Sequence, residues 1–222
     1  MTEIDVEIKV MSPIHLASGQ ADVNVDAEVI HEACGLPYFP AKRFKGLLYE
    51  SALEVVEMGE RCGESFIDRE TLEKLFHHVS DSDLQLVVSD FYIAKAEEHE
   101  RIVHALEALE SKYVGLLTAE DVLAEYTSVR YQTKLEDGVA ADTSLHNLRV
   151  VDSEELSFYG TMELLGEASE EVLSLIALAV KNMSRAGAKR NRGFGRISCS
   201  MRVAEGDDGD AIVRSALKGA VK

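Results

Sequence analysis

Along the first residues Ile4, Val6, Ile8 and Val10 alternate with Asp5, Glu7 and Lys9, the two-residue period of a strand with one buried face. Ser12-Pro13 ends it, and a second strand is expected over Val25 to His31, with Val25, Ala27 and Val29 on one face and Asp26 and Glu28 on the other. From about Ala41 to Met58 the apolar positions Phe44, Leu47, Leu48, Ala52, Val55 and Val56 change to a period near 3.6, which predicts an amphipathic helix packed on the sheet. Gly59 to Gly63 closes it, and Asp68 opens a shorter helix over Leu72, Leu75 and Phe76. Leu84 to Ala96 is the longest strand candidate. Two polar helical stretches follow, Glu97 to Tyr113 and Thr118 to Tyr126, the second with a Thr-Ala-Glu-Asp start typical of a capped helix.

From Thr127 the pattern returns to strands, at Ser128 to Lys134, Leu145 to Val151 and Leu156 to Leu165, with Thr133 to Ala140 reading as an exposed hairpin arm turning at Glu136-Asp137-Gly138. Ser169 to Met183 predicts a strongly apolar helix through Val172, Leu173, Ile176, Leu178, Ala179 and Val180, and Arg196 to Val203 a last strand. Strand, strand and helix near the start, then strands, helix and strand near the end, describe two βαβ-like units on one antiparallel sheet, an α+β plan of the ferredoxin-like kind. The expectation is a single domain over 1–205, with a helical insertion at about 58–126, a thumb-like β-hairpin at about 127–150, and a charged tail at 206–222 whose composition suits disorder apart from a short helix from Asp210.

Two stretches carry the candidate chemistry. Gly35-Leu36-Pro37-Tyr38-Phe39-Pro40 is a stiff bend, because each proline fixes its own φ and restricts the residue before it. It delivers Lys42, Arg43 and Lys45 to the first turn of the long helix, where the dipole disfavours cations, so a bound phosphate is expected there. Arg185 to Arg196, with Gly187, Gly193 and Gly195, is a basic glycine loop. Gly193 and Gly195 would let backbone N–H groups approach a phosphate, with Lys189, Arg190, Arg192 and Arg196 supplying cations and Phe194 either stacking a base or packing under the sheet.

The net charge of -17 argues against nucleic acid on average, since binding it requires cations facing phosphates. The distribution reverses the argument: ten of the 23 Lys and Arg residues lie in or near those two stretches, while most acids lie in 54–125 and 152–171, which places a basic strip on an acidic body. Cys34, Cys62 and Cys199 are odd in number, widely spaced and without a CxxC pair, so neither a disulfide framework nor a zinc site is expected. His77-His78 has no acidic or cysteine ligand at metal spacing. No apolar run is long enough to span a membrane, and the start lacks the pattern of a secretory leader, so the expected location is the cytoplasm.

With these motifs in view, the chain resembles the RAMP superfamily. The proline turn followed by Lys45-Gly46 and a Leu-rich helix, and Arg192-Gly193-Phe194-Gly195-Arg196 leading into the last strand, resemble within it the backbone subunit of type III-like CRISPR effector complexes, and Tyr131 to Gly160 resembles that group's thumb hairpin and following strand. The resemblance implies a modified RRM-like core that polymerises along a CRISPR guide RNA, binds it through Lys42, Arg43, Lys45, Arg130, Lys189, Arg190, Arg192, Gly193, Phe194, Gly195 and Arg196, and presents it to target RNA alongside copies of itself and other effector subunits. It also implies a candidate catalytic aspartate, Asp26, with Asp22 and Glu28 as close competitors; Mg2+ at Asp26 would be needed only if that residue cuts target RNA. Two other readings stay open. One is a guide-processing endoribonuclease of the same superfamily using His15 or His31 as general base, the other a ferredoxin-like interaction domain without nucleic acid.

Overall fold

The computed structural model describes residues 1–22, 24–63, 69–77, 83–133, 135–136, 139–140, 145–152, 156–203 and 208–220. Its main sheet has four strands: β1 (Thr2–Val10), β2 (Gln85–Val88), β7 (Ser157–Leu165) and β8 (Ile197–Val203), in the order β2-β7-β1-β8 with each neighbouring pair antiparallel. Interleaving two βαβ-like halves gives this order, as expected for a ferredoxin-like plan. The register places Ile8 between Phe158 and Cys199, and Ile4 between Met162 and Val203, so one sheet face is continuously apolar.

Helices α1 (Ala41–Cys62) and α5 (Glu170–Asn182) cover that face and pack on each other. In α1 the predicted stripe is the buried one, Phe44, Leu48, Ala52, Val55 and Val56. Helix α5 is buried on nearly every side from Val172 to Val180 and starts at Ser169, whose hydroxyl accepts the Val172 N–H. The proline turn drives Phe39 into the core, where it meets Phe44, Phe91 and Phe158 edge-on at centroid distances of 6.2 to 6.4 Å, a geometry aromatic rings favour. The bend is thus an anchor for the sheet–helix interface.

Between β2 and β7 lie α3 (Ala96–Lys112), α4 (Ala119–Tyr126) and two ribbons, β3 (Thr127–Gln132) with β6 (His146–Val151), and β4 (Leu135–Glu136) with β5 (Val139–Ala140). The predicted cap of α4 is present as a capping box between Thr118 and Asp121. Helix α2 (Arg69–Phe76) buries Leu72 and Leu75; Asp68, expected to open it, lies outside the described residues, as do Asp137 and Gly138 of the expected turn. No helix among the described residues is long and apolar enough to cross a membrane.

Two expectations change. The segment 25–31 does not form a strand: Val25 and Val29 are buried as the alternation requires, but hydrogen bonding is divided between Leu16 and Ser18 on one side and Arg149 on the other, so no single ladder forms. The long strand at 84–96 stops at Val88, because Asp90 leaves the sheet to cap α1 while Phe91 and Tyr92 make single bridges to Phe39 and Tyr159. Strand β2 is therefore part of the main sheet although it falls within 58–126. The short helix expected from Asp210 is present as α6 (Gly209–Ala220), docked on α5 and β8 through partly buried Ile212, Val213 and Ala216 and by an ion pair from Lys181 to Asp210 at 2.8 Å.

Gly195 has φ +73°, and a Cβ there would lie 1.9 Å from the Ala186 carbonyl oxygen, whereas Gly193, at φ +87°, has open space around it. Gly195→Ala should therefore lower the free energy of unfolding by about 2–3 kcal/mol and Gly193→Ala by about 1 kcal/mol. Urea unfolding of the two variants measures the difference, and equal losses would contradict the packing described.

Candidate nucleic-acid interface

The N-terminus of α1 already has its anion. No acidic residue stands in its first turn, but the Asp90 carboxylate accepts the Ala41 N–H at 2.7 Å, which satisfies one unpaired donor and the positive end of the dipole. The free phosphate site expected there is thus occupied by a side chain from a distant segment. The three cations also diverge. Arg43 donates to the Ala17 carbonyl, Lys45 donates to the Leu86 carbonyl at 2.7 Å, and Lys42 is exposed. Lys45 faces a cavity of ≈ 490 Å³ lined also by Leu75, Phe76 and Leu86, on the side of α2.

The glycine loop has a defined shape. Lys189 adopts a left-handed conformation (φ 57°), residues Arg190–Arg192 form a single 3-10 turn, and Gly193 is again left-handed. A right-handed residue followed by a left-handed one turns successive N–H groups to one side, the backbone form of an anion nest. Gly193 is exposed and suited to that role; Gly195 is not, because it is buried and its N–H donates to the Pro13 carbonyl at 2.9 Å. Arg192 and Arg196 are exposed, Phe194 is half-buried, Arg185 donates to the Arg190 carbonyl, and Arg190 reaches Glu50 at 3.5 Å.

From this loop a line of contacts runs to Asp26. Lys189 Nζ donates to Gln132 Oε1 at 2.7 Å, Gln132 pairs across the ribbon with His146, and His146 Nδ1 lies 3.8 Å from Asp26 Oδ2. Asp26 is clamped by its neighbour on β6: its N–H donates to Asn147 Oδ1 at 2.7 Å, its Oδ2 accepts the Asn147 N–H at 2.8 Å, and Asn147 Nδ2 donates to the Asn24 carbonyl at 2.8 Å. Asp26 and His146 nonetheless keep side chains 59% and 68% exposed. Arg130, at the root of the arm, is half-exposed and 3.6 Å from Asp152. Tyr131, 67% exposed, sits across from Asn147. Of the competing acids, Asp22 stays exposed, and Glu28 is committed elsewhere.

Glu28 pairs with Arg149 beneath this ledge. Arg149 is 8% exposed; its Nε donates to Glu28 Oε1 at 2.8 Å, its Nη1 to Thr127 Oγ1 at 3.3 Å and its main-chain N–H to the Ala27 carbonyl at 3.0 Å. The Arg149 carbonyl in turn faces His15 Nδ1 at 2.7 Å, which sets the tautomer with the proton on Nδ1. His15 is 3% exposed, so it is placed to hold the fold and is closed to a ribose, which removes the geometric basis for it as a general base. His31 is exposed, with Nδ1 at 2.8 Å from the Glu32 carbonyl. Burial pushes the His15 pKa below the ordinary value of 6.5, opposed by the hydrogen bond to Arg149 and reinforced by the charges of Lys189 and Arg43.

The outer face of the sheet disfavours an RRM-style binding mode. Its central strands present Glu3, Asp5, Glu7, Lys9, Tyr159, Thr161 and Glu163, with Glu3 directly opposite Glu163. RRM sheets stack bases on aromatic side chains at such positions, and an acidic face repels phosphates instead. Among the described residues no three His, Cys, Asp or Glu side chains converge on a metal position. Sequence reasoning missed Gln132, His146, Asn147 and Arg149. Only Arg149 carried a signal, an arginine inside the apolar run Leu148-Arg149-Val150-Val151, which calls for a buried partner.

Two outcomes follow from the buried network. Glu28→Leu should destabilise the protein by about 3 kcal/mol, because it leaves a buried guanidinium unpaired, while the double variant with Arg149→Met should recover most of that loss; a double-mutant cycle by urea unfolding tests both. For His15 the folded pKa lies below the unfolded one, so its contribution is complete above pH 6.5 and is lost as pH falls from 6.5 towards the folded value, where the unfolded chain takes up the proton first. His15→Asn should therefore show a shallower loss of stability between pH 7 and pH 5.5, read from unfolding curves across that range.

Comparison with known proteins accords with this geometry. No curated protein matches the sequence. The fold is similar to a chain of a type III-B Cmr-beta complex bound to cognate target RNA, with a TM-score of 0.60 at 10% identity over 95% of this chain and 98% of that one, and to a chain of the apo Cmr-beta complex, with a TM-score of 0.58 at 11% identity over 91% and 97%. The sequence pattern of the RAMP superfamily matches residues 7–198. On that match, extending from within β1 into β8, the chain belongs to the RAMP superfamily.

Proposed function

We propose that the protein is a guide-RNA-binding backbone subunit of a type III CRISPR effector complex, lying along the guide with other copies of itself and other subunits and presenting it to target RNA. The observation that carries this reading is the basic loop, with its left-handed Lys189 and Gly193 around a 3-10 turn, on a body whose sheet face is acidic. The superfamily membership and the likeness to Cmr-beta chains, one of them in a complex with cognate target RNA, support it. Phosphate contacts from Lys189, Arg190, Arg192 and Arg196, the Gly193 backbone, and Lys42 at the end of α1 would hold RNA without reading its bases; sequence would be read by pairing between guide and target. Arg130 and the arm beyond it would extend the track.

Target-RNA cleavage at Asp26 belongs to the same reading. The carboxylate is exposed beside the ribbon, held by Asn147 and oriented away from the core. It would act on a ribose 2′-hydroxyl, accepting its proton as the oxygen attacks the neighbouring phosphorus. One protein carboxylate suits Mg2+ that takes its remaining ligands from water and RNA phosphates, and such an ion at Asp26 would supply neutralisation of charge on the phosphate.

Purified with a CRISPR array and its neighbouring genes, the protein should carry guide-derived RNA, and Lys189→Glu with Arg192→Glu should remove that RNA while Asp5→Lys on the sheet face leaves it in place. Loss of two phosphate contacts should also flatten the salt dependence of RNA binding, lowering the log–log slope by about 1.4. Sequencing of the co-purified RNA and filter binding at several salt concentrations measure both. Unchanged RNA content in the double variant would overturn the role given to the loop.

A further inference from the structure

We propose that His146 is the general acid that protonates the leaving oxygen in RNA cleavage at Asp26, an assignment that rests on the reading of Asp26 given above. A carboxylate that takes the 2′-proton completes only half of the exchange. As the 2′-oxygen bonds to phosphorus, the bond from phosphorus to the 5′-oxygen breaks, and its electron pair needs a proton. The products are a 2′,3′-cyclic phosphate and a 5′-hydroxyl, with one proton gained by Asp26 and one given up by the acid. No electron transfer is involved.

His146 is the side chain placed to give it. Its Nδ1 lies 3.8 Å from Asp26 Oδ2, and both groups are more than half exposed on the same ledge. A ring N–H of imidazole can be donated to an oxygen at this ledge. Among the described residues the other candidates at this ledge are otherwise engaged or less suited: His15 is buried against the Arg149 carbonyl, Lys189 is bonded to Gln132, and Tyr131 is a phenol across from Asn147. An acid and a base serving opposite ends of an in-line displacement each stand within about 3 Å of their own oxygen, so the two side chains part to admit the phosphate. Asp26 is held by Asn147 at both its N–H and its Oδ2, so the exposed His146 side chain is the one that turns, its main chain fixed by pairing with Gln132. Seen this way, the ribbon's register brings the acid to the base, and the contact from Lys189 to Gln132 brings the basic loop alongside.

The test uses the protein assembled with its guide RNA, in single-turnover cleavage of complementary RNA and of the same RNA with sulfur replacing the 5′-bridging oxygen at the scissile bond. A thiolate leaves without protonation. His146→Ala should slow cleavage of the oxygen substrate by about 100-fold and cleave the sulfur substrate at close to the unaltered rate, with target RNA bound equally well; His146→Gln should behave the same. Equal slowing of both substrates, or no slowing of either, would overturn the assignment. If Asp26→Asn cleaves normally, the reading of Asp26 itself fails; if Asp26→Asn is inactive and His146→Ala is fully active, that reading stands and only the acid is wrong.

Discussion

The candidate site depends on one buried arginine. Arg149 belongs to β6, yet its side chain binds Glu28 of the irregular segment and Thr127 of β3, its N–H binds Ala27, and its carbonyl receives the proton of His15. Three pieces of chain that share no continuous ladder are thereby locked to one residue. An ion pair in such a place contributes little net stability over a well-packed apolar alternative, but it is strongly directional. Its effect is to specify where the ribbon sits relative to the 14–18 segment, and through Asn147 and His146 the ribbon specifies the surroundings of Asp26. Loss of the pair would therefore loosen the ledge before it disturbed the sheet.

Much of the fold was legible because it obeys local rules. The alternation of Ile4 to Val10, the stripe from Phe44 to Val56, the Thr118 cap and the apolar run of α5 all reappear as the elements they describe. The failures share a cause: each involves a residue whose partner is far away in sequence. Alternation at 25–31 reports burial correctly, but whether an extended segment becomes a strand depends on who stands beside it, and here the neighbours are two different segments. Asp90 reads as an ordinary strand residue until Ala41, 49 positions away, needs an acceptor.

The candidate site was legible in part for the same reason. The basic glycine loop is local, and its composition alone marks it. Within it the two glycines divide their roles in a way sequence could not show, Gly193 facing solvent and Gly195 tight against Ala186. Asp26 was visible only through resemblance, and nothing in the sequence distinguishes His146 from any other surface histidine. What makes it notable is register, the pairing of Gln132 with His146 and of Tyr131 with Asn147, and register is a property of two strands together.

The acidic outer face of the sheet has a kinetic consequence. Fields of like sign act on a charged polymer well before it touches the surface. With Glu3, Asp5, Glu7 and Glu163 across the flat side, a polyanion approaching that side would be turned before it lands, so under the proposed reading misoriented encounters would be rejected during diffusion and would not have to dissociate afterwards. Selectivity for how a strand lies down would then be set by direction of approach, and a strongly negative molecule could bind another without a basic surface overall.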